Sequence, residues 1–235
     1  MQNKIILELP DKTEATIDNV DFINIEGSDN TIRIKTESVE NFRALKGLLI
    51  AVFGNNNQIS LGNIFYPVNE TIGLTGLTIN IGNPPDDTLA LGMQRYANNC
   101  KINIGDDIIV CGARLFLQDS DTSISIGSRC MISWGIDIWC TDVHTVTDLE
   151  GNVLNYSKSI EIGEHVWIGR DVKIGKNTKI SKDSIIGWGS IVTKKFDEPN
   201  VVIAGNPAQI VKRNINWDFR NIHNYELYRK GQLQQ

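Results

Sequence analysis

The sequence predicts an all-β fold, a single parallel β-helix, and three observations carry that prediction. Aliphatic residues recur every six positions without a miss at Ile162, Ile168, Ile174, Ile180, Ile186 and Val192. A period of six matches neither the 3.6 of an α-helix nor the 3.5 of a coiled coil, but it is a multiple of the period of two of a strand. Glycine directly follows most of these aliphatics, as Gly163, Gly169, Gly175 and Gly187, with Ser181 and Thr193 after the others. Glycine relieves tight corners, including those that need a positive φ. Finally, 34 isoleucines stand against 16 leucines, beside 24 asparagines and 20 glycines. That balance of β-branched and turn-forming residues disfavours a helical fold.

Three short strands joined by three corners make one triangular coil of about 18 residues, and stacked coils pair through parallel ladders about 4.8 Å apart. The spacing places Ile162 over Ile180, Ile168 over Ile186 and Ile174 over Val192 as aliphatic columns. Smaller residues fall four positions after the first five aliphatics, at Val166, Val172, Thr178, Ser184 and Ser190.

Along the chain, Ile23-Asn24-Ile25 and Ile32-Arg33-Ile34 open the solenoid. From Ser38 to Phe53, Val39, Phe42, Leu45, Leu48, Leu49 and Val52 fit one helix face and suggest a helical decoration. An aliphatic-x-aliphatic-Gly signature then appears at Ile59–Gly62, Ile79–Gly82, Ile102–Gly105, Ile124–Gly127 and Ile160–Gly163. Its glycines step by 20, 23, 22 and 36 residues, which reads as one coil plus small insertions and finally two coils. Residues 1–99 are therefore irregular N-terminal coils with insertions, and 100–212 form the regular β-helix. Residues 213–235 are a tail with some helical character, whose Trp217, Phe219, Tyr225 and Tyr228 pack on the prism or on a neighbour. Within the regular region, the six-residue phase breaks over 141–159, where it would put His144, Glu150 and Tyr156 inside. That segment is an excursion, and a long loop on a repetitive scaffold is a functional candidate.

Composition excludes several classes. With 23 basic against 28 acidic side chains and a net charge of −5, nothing favours nucleic acid or an anionic membrane surface. No apolar run approaches the roughly 20 residues of a membrane span, and Met1 to Ile6 shows no signal-peptide pattern. Cys100, Cys111, Cys130 and Cys140 form no CxxC pair, so reduced thiols in a cytoplasmic protein are expected.

Ile162-Gly163-Glu164-His165-Val166-Trp167-Ile168-Gly169 resembles the hexapeptide-repeat acyltransferases, as do Gly189-Ser190-Ile191-Val192-Thr193-Lys194 and Ala204-Gly205-Asn206-Pro207-Ala208. Thr141-Asp142-Val143-His144 with Leu149-Glu150-Gly151-Asn152, and the ending from Glu198-Pro199-Asn200 to Trp217, point to the bacterial capsular polysaccharide and polysialic acid O-acetyltransferases. The resemblance covers roughly residues 100 to 220. It implies a left-handed parallel β-helix, a homotrimer with active sites between subunits, and acetyl-CoA as acetyl donor in a groove between prisms, with no metal.

A sugar hydroxyl is a poor nucleophile and must lose its proton as it attacks a thioester. An imidazole titrating near neutrality suits that task, so His144 is the candidate general base, with Asp142 either orienting its ring or capping the turn. Trp167 would face outward between Val166 and Ile168, and the resemblance places it beside the reacting centre and the coenzyme. The resemblance also marks Arg170, Trp188, Thr193, Lys194 and Lys212 as coenzyme contacts. Here Trp188 replaces a small residue and Gln209 a basic one. His165 reads as surface or interface, and His223 as solvated.

The implied activity is acetyl transfer to a sugar hydroxyl of a bacterial surface glycan, sialic acid being one candidate. An amino-sugar N-acetyltransferase and a non-enzymatic prism are the alternatives. A zinc enzyme on the same scaffold needs three convergent imidazoles, and His223 lies beyond the repeats.

Overall fold

The structure is a computed structural model that describes residues 2–65, 76–82 and 96–233. The parts of the expected N-terminal coils at 66–75 and 83–95, and the last two residues of the tail, lie outside the described residues. Three sheets form the faces of a prism, with nine strands in sheet 1 and seven each in sheets 2 and 3 among the described residues. Each coil visits them in turn: Ser159–Ile162 lies in sheet 1, Trp167–Ile168 in sheet 2 and Lys173–Gly175 in sheet 3. The corners are named 1/2, 2/3 and 3/1 after the sheets they join. Ile162 pairs with Ile180, Ile168 with Ile186 and Ile174 with Val192, all six buried. Burial of aliphatics at about 1.5–3 kcal/mol per side chain holds the coils together.

At Gly127, Gly163 and Gly169 the glycine is needed for space rather than for φ, whereas Gly175 has room for a Cβ. A Cβ on Gly163 would sit 2.6 Å from the Lys182 nitrogen of the next coil, and one on Gly127 2.5 Å from the Glu164 nitrogen. The positive φ falls two residues later, at His165, Asp171, Asn177, Asp183 and Gly189, again every six residues. Asn and Asp tolerate that region better than other non-glycine residues.

Three sequence expectations need correction. Ile79–Gly82 does not belong to the column of the other signatures: strand Gly76–Ile81 lies in sheet 3, while Gln58–Leu61 pairs directly with Lys101–Ile104 in sheet 1. The 36-residue step is one coil plus the excursion, because Ser123–Ile126 pairs directly with Ser159–Ile162. Only a short part of the Ser38–Phe53 segment is helical. Helix α1 covers Val39–Arg43, capped by the Ser38 hydroxyl, and Leu48–Phe53 is a strand of sheet 3. Leu48, Ile50 and Val52 point inward there, and β pairing on both sides overrides the helix period.

A buried asparagine ladder lines corner 3/1 in the early coils. Asn3 Oδ1 accepts from the Asn30 backbone and side-chain amides, Asn30 Oδ1 accepts from both amides of Asn57, and Asn57 Oδ1 accepts from the Cys100 backbone. The ladder satisfies backbone N–H groups that an aliphatic there would leave unpaired.

Antiparallel hairpins close both ends of the prism and blunt its open edges. Lys4–Glu8 with Glu14–Ile17 closes sheet 1, and Val201–Gly205 with Ala208–Arg213 closes sheet 2 around a cis Asn206–Pro207 bond. The tail then lies along sheet 2 and ends in helix α2, Ile222–Arg229, which buries none of its residues. All four cysteines are free and buried.

Candidate active site

The excursion leaves the prism at corner 3/1, after Ile136–Trp139 of sheet 3, and returns at Ser159 of sheet 1. It folds as a small hairpin with a Thr147–Val153 bridge, turned by Asp148, which accepts from the backbones of Glu150 and Asn152. At its root Thr141 is buried and its hydroxyl accepts from the Val143 N–H. Val143 has a φ of 65°, a strained conformation for a β-branched residue. The next residue, His144, is exposed, and its backbone N–H donates to the Asp142 carbonyl at 2.6 Å.

Asp142 does not orient the His144 ring among the bonds formed here. Its carboxylate is held by Lys176 at 2.5 Å and by the Asn155 amide at 2.9 Å. Burial alone would raise the pKa of Asp142, but these two donors outweigh it and hold the carboxyl below its ordinary value. The same Asn155 amide donates to the His144 carbonyl at 2.9 Å, and its side-chain oxygen accepts from the Val146 N–H at 2.8 Å. Lys176 also donates to the Asn155 carbonyl. Asn155 and Lys176 thus fix the His144 backbone to the next coil. Neither role is legible in the sequence: Lys176 is simply the residue after a corner glycine, and Asn155 is eleven positions from the histidine.

Sheet 3 ends at the foot of this loop with an aromatic pair, Phe116 and Trp139, their ring centroids 4.7 Å apart. Both occupy outward slots beside buried Leu115, Leu117 and Ile138, a signal the alternation of the strands carried.

Trp167 faces outward from sheet 2 between buried Val166 and Ile168, as its slot predicts. Its strand neighbours are Met131 and Ile185. The tail covers part of it: the Trp217 ring lies 6.0 Å from that of Trp167. Trp217 also stacks on His165 at 4.4 Å and 11°, and its indole N–H donates to the His165 carbonyl. His165 is therefore half-buried under the tail, its Nδ1 3.0 Å from the Asp183 carboxylate. His223 is exposed near the start of α2.

The coenzyme candidates fall into three places. Arg170 and Trp188 occupy equivalent slots of successive coils at corner 2/3, where the Gly189 N–H donates to the Arg170 carbonyl. The indole lies so close to Gly169 that a Cβ there would be 2.6 Å from its Cδ1. Trp188 remains 76% exposed. Thr193 and Lys194 are exposed at corner 3/1, and Lys194 Nζ donates to Gln209 Oε1 at 2.6 Å. Lys212 is exposed on the last strand of sheet 2. Corner 3/1 is the vertex opposite sheet 2, so one chain separates the root of the His144 loop from Trp167.

No family model matches the chain. It is 36% identical over 200 residues to a polysialic acid O-acetyltransferase of Neisseria meningitidis, covering 84% of this chain and 90% of that one. The chain belongs to the hexapeptide-repeat acetyltransferase family. A galactoside O-acetyltransferase of Escherichia coli is 40% identical over 92 residues, 39% of this chain and 45% of that one. The solved structure of the polySia-specific acetyltransferase NeuO superposes with a TM-score of 0.55 at 24% identity, covering 85% of this chain and 89% of that one. The prism of this acetyltransferase is accordingly the left-handed parallel β-helix of the family. Among the described residues no three His, Cys, Asp or Glu side chains converge as a metal site, and no helix is long and apolar enough to cross a membrane.

Proposed function

We propose that this protein transfers acetyl from acetyl-CoA to a sugar hydroxyl of a bacterial surface glycan, a sialic acid polymer being the favoured acceptor. The observation that carries this reading is the similarity over 84% of the chain to a polysialic acid O-acetyltransferase. It is joined by a histidine held at the root of an ordered loop. His144 accepts the hydroxyl proton as that oxygen attacks the thioester carbonyl carbon, then returns it to the departing sulfur. General-base help of this kind contributes on the order of 10²–10⁴-fold. Trp167 forms the wall of the reacting centre.

Acetyl-CoA needs an extended apolar track and cations for its phosphates. The exposed indole of Trp188 beside Arg170 supplies such a surface at corner 2/3, with Thr193 and Lys194 at the next corner and Lys212 at the end of sheet 2. Their separation on one chain, with that of His144 from Trp167, supports a homotrimer in which each site joins the His144 loop of one copy to sheet 2 of another. Leu149, Leu154, Tyr156 and Val146 are exposed on that loop, an apolar surface suited to a neighbour. A cytoplasmic enzyme, acting where acetyl-CoA is made, follows from the same reading.

Calorimetric titration with acetyl-CoA, followed by transfer of labelled acetyl to sialic acid oligomers, tests this. Saturable binding and transfer are expected. A folded sample that binds no acetyl-CoA refutes the reading.

A further inference from the structure

The tail does more than cover the prism. Between it and sheet 2 lies a cavity of about 530 Å³, within the few hundred to a thousand Å³ of small-ligand sites. Its floor is Ile109 and Met131, on neighbouring strands of sheet 2, and Met131 is the strand partner of Trp167. The cavity therefore begins within about 5 Å, one strand spacing, of the candidate reacting centre. The tail supplies its aromatic wall, Trp217 and Phe219, and corner 1/2 supplies the Asp107 carboxylate and the Arg129 guanidinium.

These groups define a ligand class. Sugars present an apolar C–H face with hydroxyls round the edge. Aromatic rings meet the face, and a carboxylate and a guanidinium accept from and donate to the hydroxyls. Phe219 is 68% exposed, so its ring is accessible at the mouth of the cavity. Arg129 is paired with Glu164 at 2.6 Å through one nitrogen, which leaves its other donors available. We infer that this cavity is an acceptor subsite, holding one pyranose unit of the glycan beside Trp167, with the tail as the specificity element. The inference rests on the acetyl-transfer reading for the identity of the ligand as acceptor, but the pocket itself can be tested by binding alone.

The probe is a sialic acid oligomer, with a glucose oligomer beside it, titrated into the full chain without acetyl-CoA and followed by saturation-transfer NMR. Saturable binding of at least one oligomer is expected, weakened about tenfold or more in Phe219→Ala and in Asp107→Asn. Acetyl-CoA binding should stay within about twofold of the parent in both variants. Phe219 is largely exposed and its ring packs on the Arg220 guanidinium, so its removal should leave the fold intact, which thermal melting checks. Equal sugar binding in parent and variants overturns the subsite and leaves the transferase reading standing. Absence of sugar binding in the parent also overturns it. Absence of acetyl-CoA binding in the parent sinks the transferase reading instead. A fall in sedimentation mass in Phe219→Ala, with sugar binding unchanged, would assign the cavity to a second copy's loop and overturn the proposal.

Discussion

The side-chain amide of Asn155 donates to the backbone carbonyl of His144 at 2.9 Å, joining the two ends of the excursion across eleven residues. The same amide reaches Asp142, so one side chain fixes both the candidate base and the residue that sits two places before it. Asn155→Ala should lower kcat by roughly tenfold while leaving KM for acetyl-CoA unchanged, since it loosens a positioned base without touching the coenzyme surface. Steady-state kinetics check this, and an unchanged kcat would show that the loop is positioned by other contacts.

His144→Ala should bind acetyl-CoA like the parent and lose about 10²–10⁴ in turnover, the range of a general base. Calorimetry and rate measurements on one preparation separate the two effects. Retained turnover would remove His144 from the mechanism.

Acid should loosen the loop. Asp142 has a depressed pKa in the fold, and so do Asp106 beside Lys35 and Asp137 between Arg114 and Lys173. A carboxyl depressed by folding contributes stability that is fully present above its ordinary value of 3.8 and is lost as pH falls through the folded value. These groups are partly exposed, so each effect is small. The melting temperature should therefore be flat near neutrality on their account and fall below about pH 4. Lys176→Met should move the onset of proteolysis within 141–159 to higher pH.

Asn57 is 1% exposed, and its side chain pairs with Asn30, Ala97 and Cys100. Asn57→Leu strands these buried partners at about 1–3 kcal/mol each. Denaturant melts should show it destabilised by several kcal/mol. A stability equal to the parent would mean that the ladder is dispensable.

Burial pushes the Cys130 and Cys140 thiols up to about 12. Neither should react with a thiol probe at pH 8 in the folded protein, and both should react in denaturant. Rapid labelling of the native protein would contradict the burial.

The hexad from Ile162 to Val192 determined a parallel β-helix by itself, though not its hand, because one inward aliphatic per six residues fits neither helical period and suits short strands separated by corners. It also fixed which neighbours stack, and that Trp167 faces out. Residues 141–159 were legible as an excursion for the same reason: their hexad slots hold His144, Glu150 and Tyr156. Tertiary structure decided what lay between distant positions. Asn155 and Lys176 serve His144 only because the coil brings the next corner beneath the loop root. The need for glycine at Gly127 and Gly163 comes from the backbone of the coil that follows, which no local rule of φ reveals. Leu48–Phe53 became a strand because its flanking strands paired with it. The tail's docking on His165 and Trp167 likewise joins residues fifty positions apart, whose contact is set by the path of the chain over sheet 2.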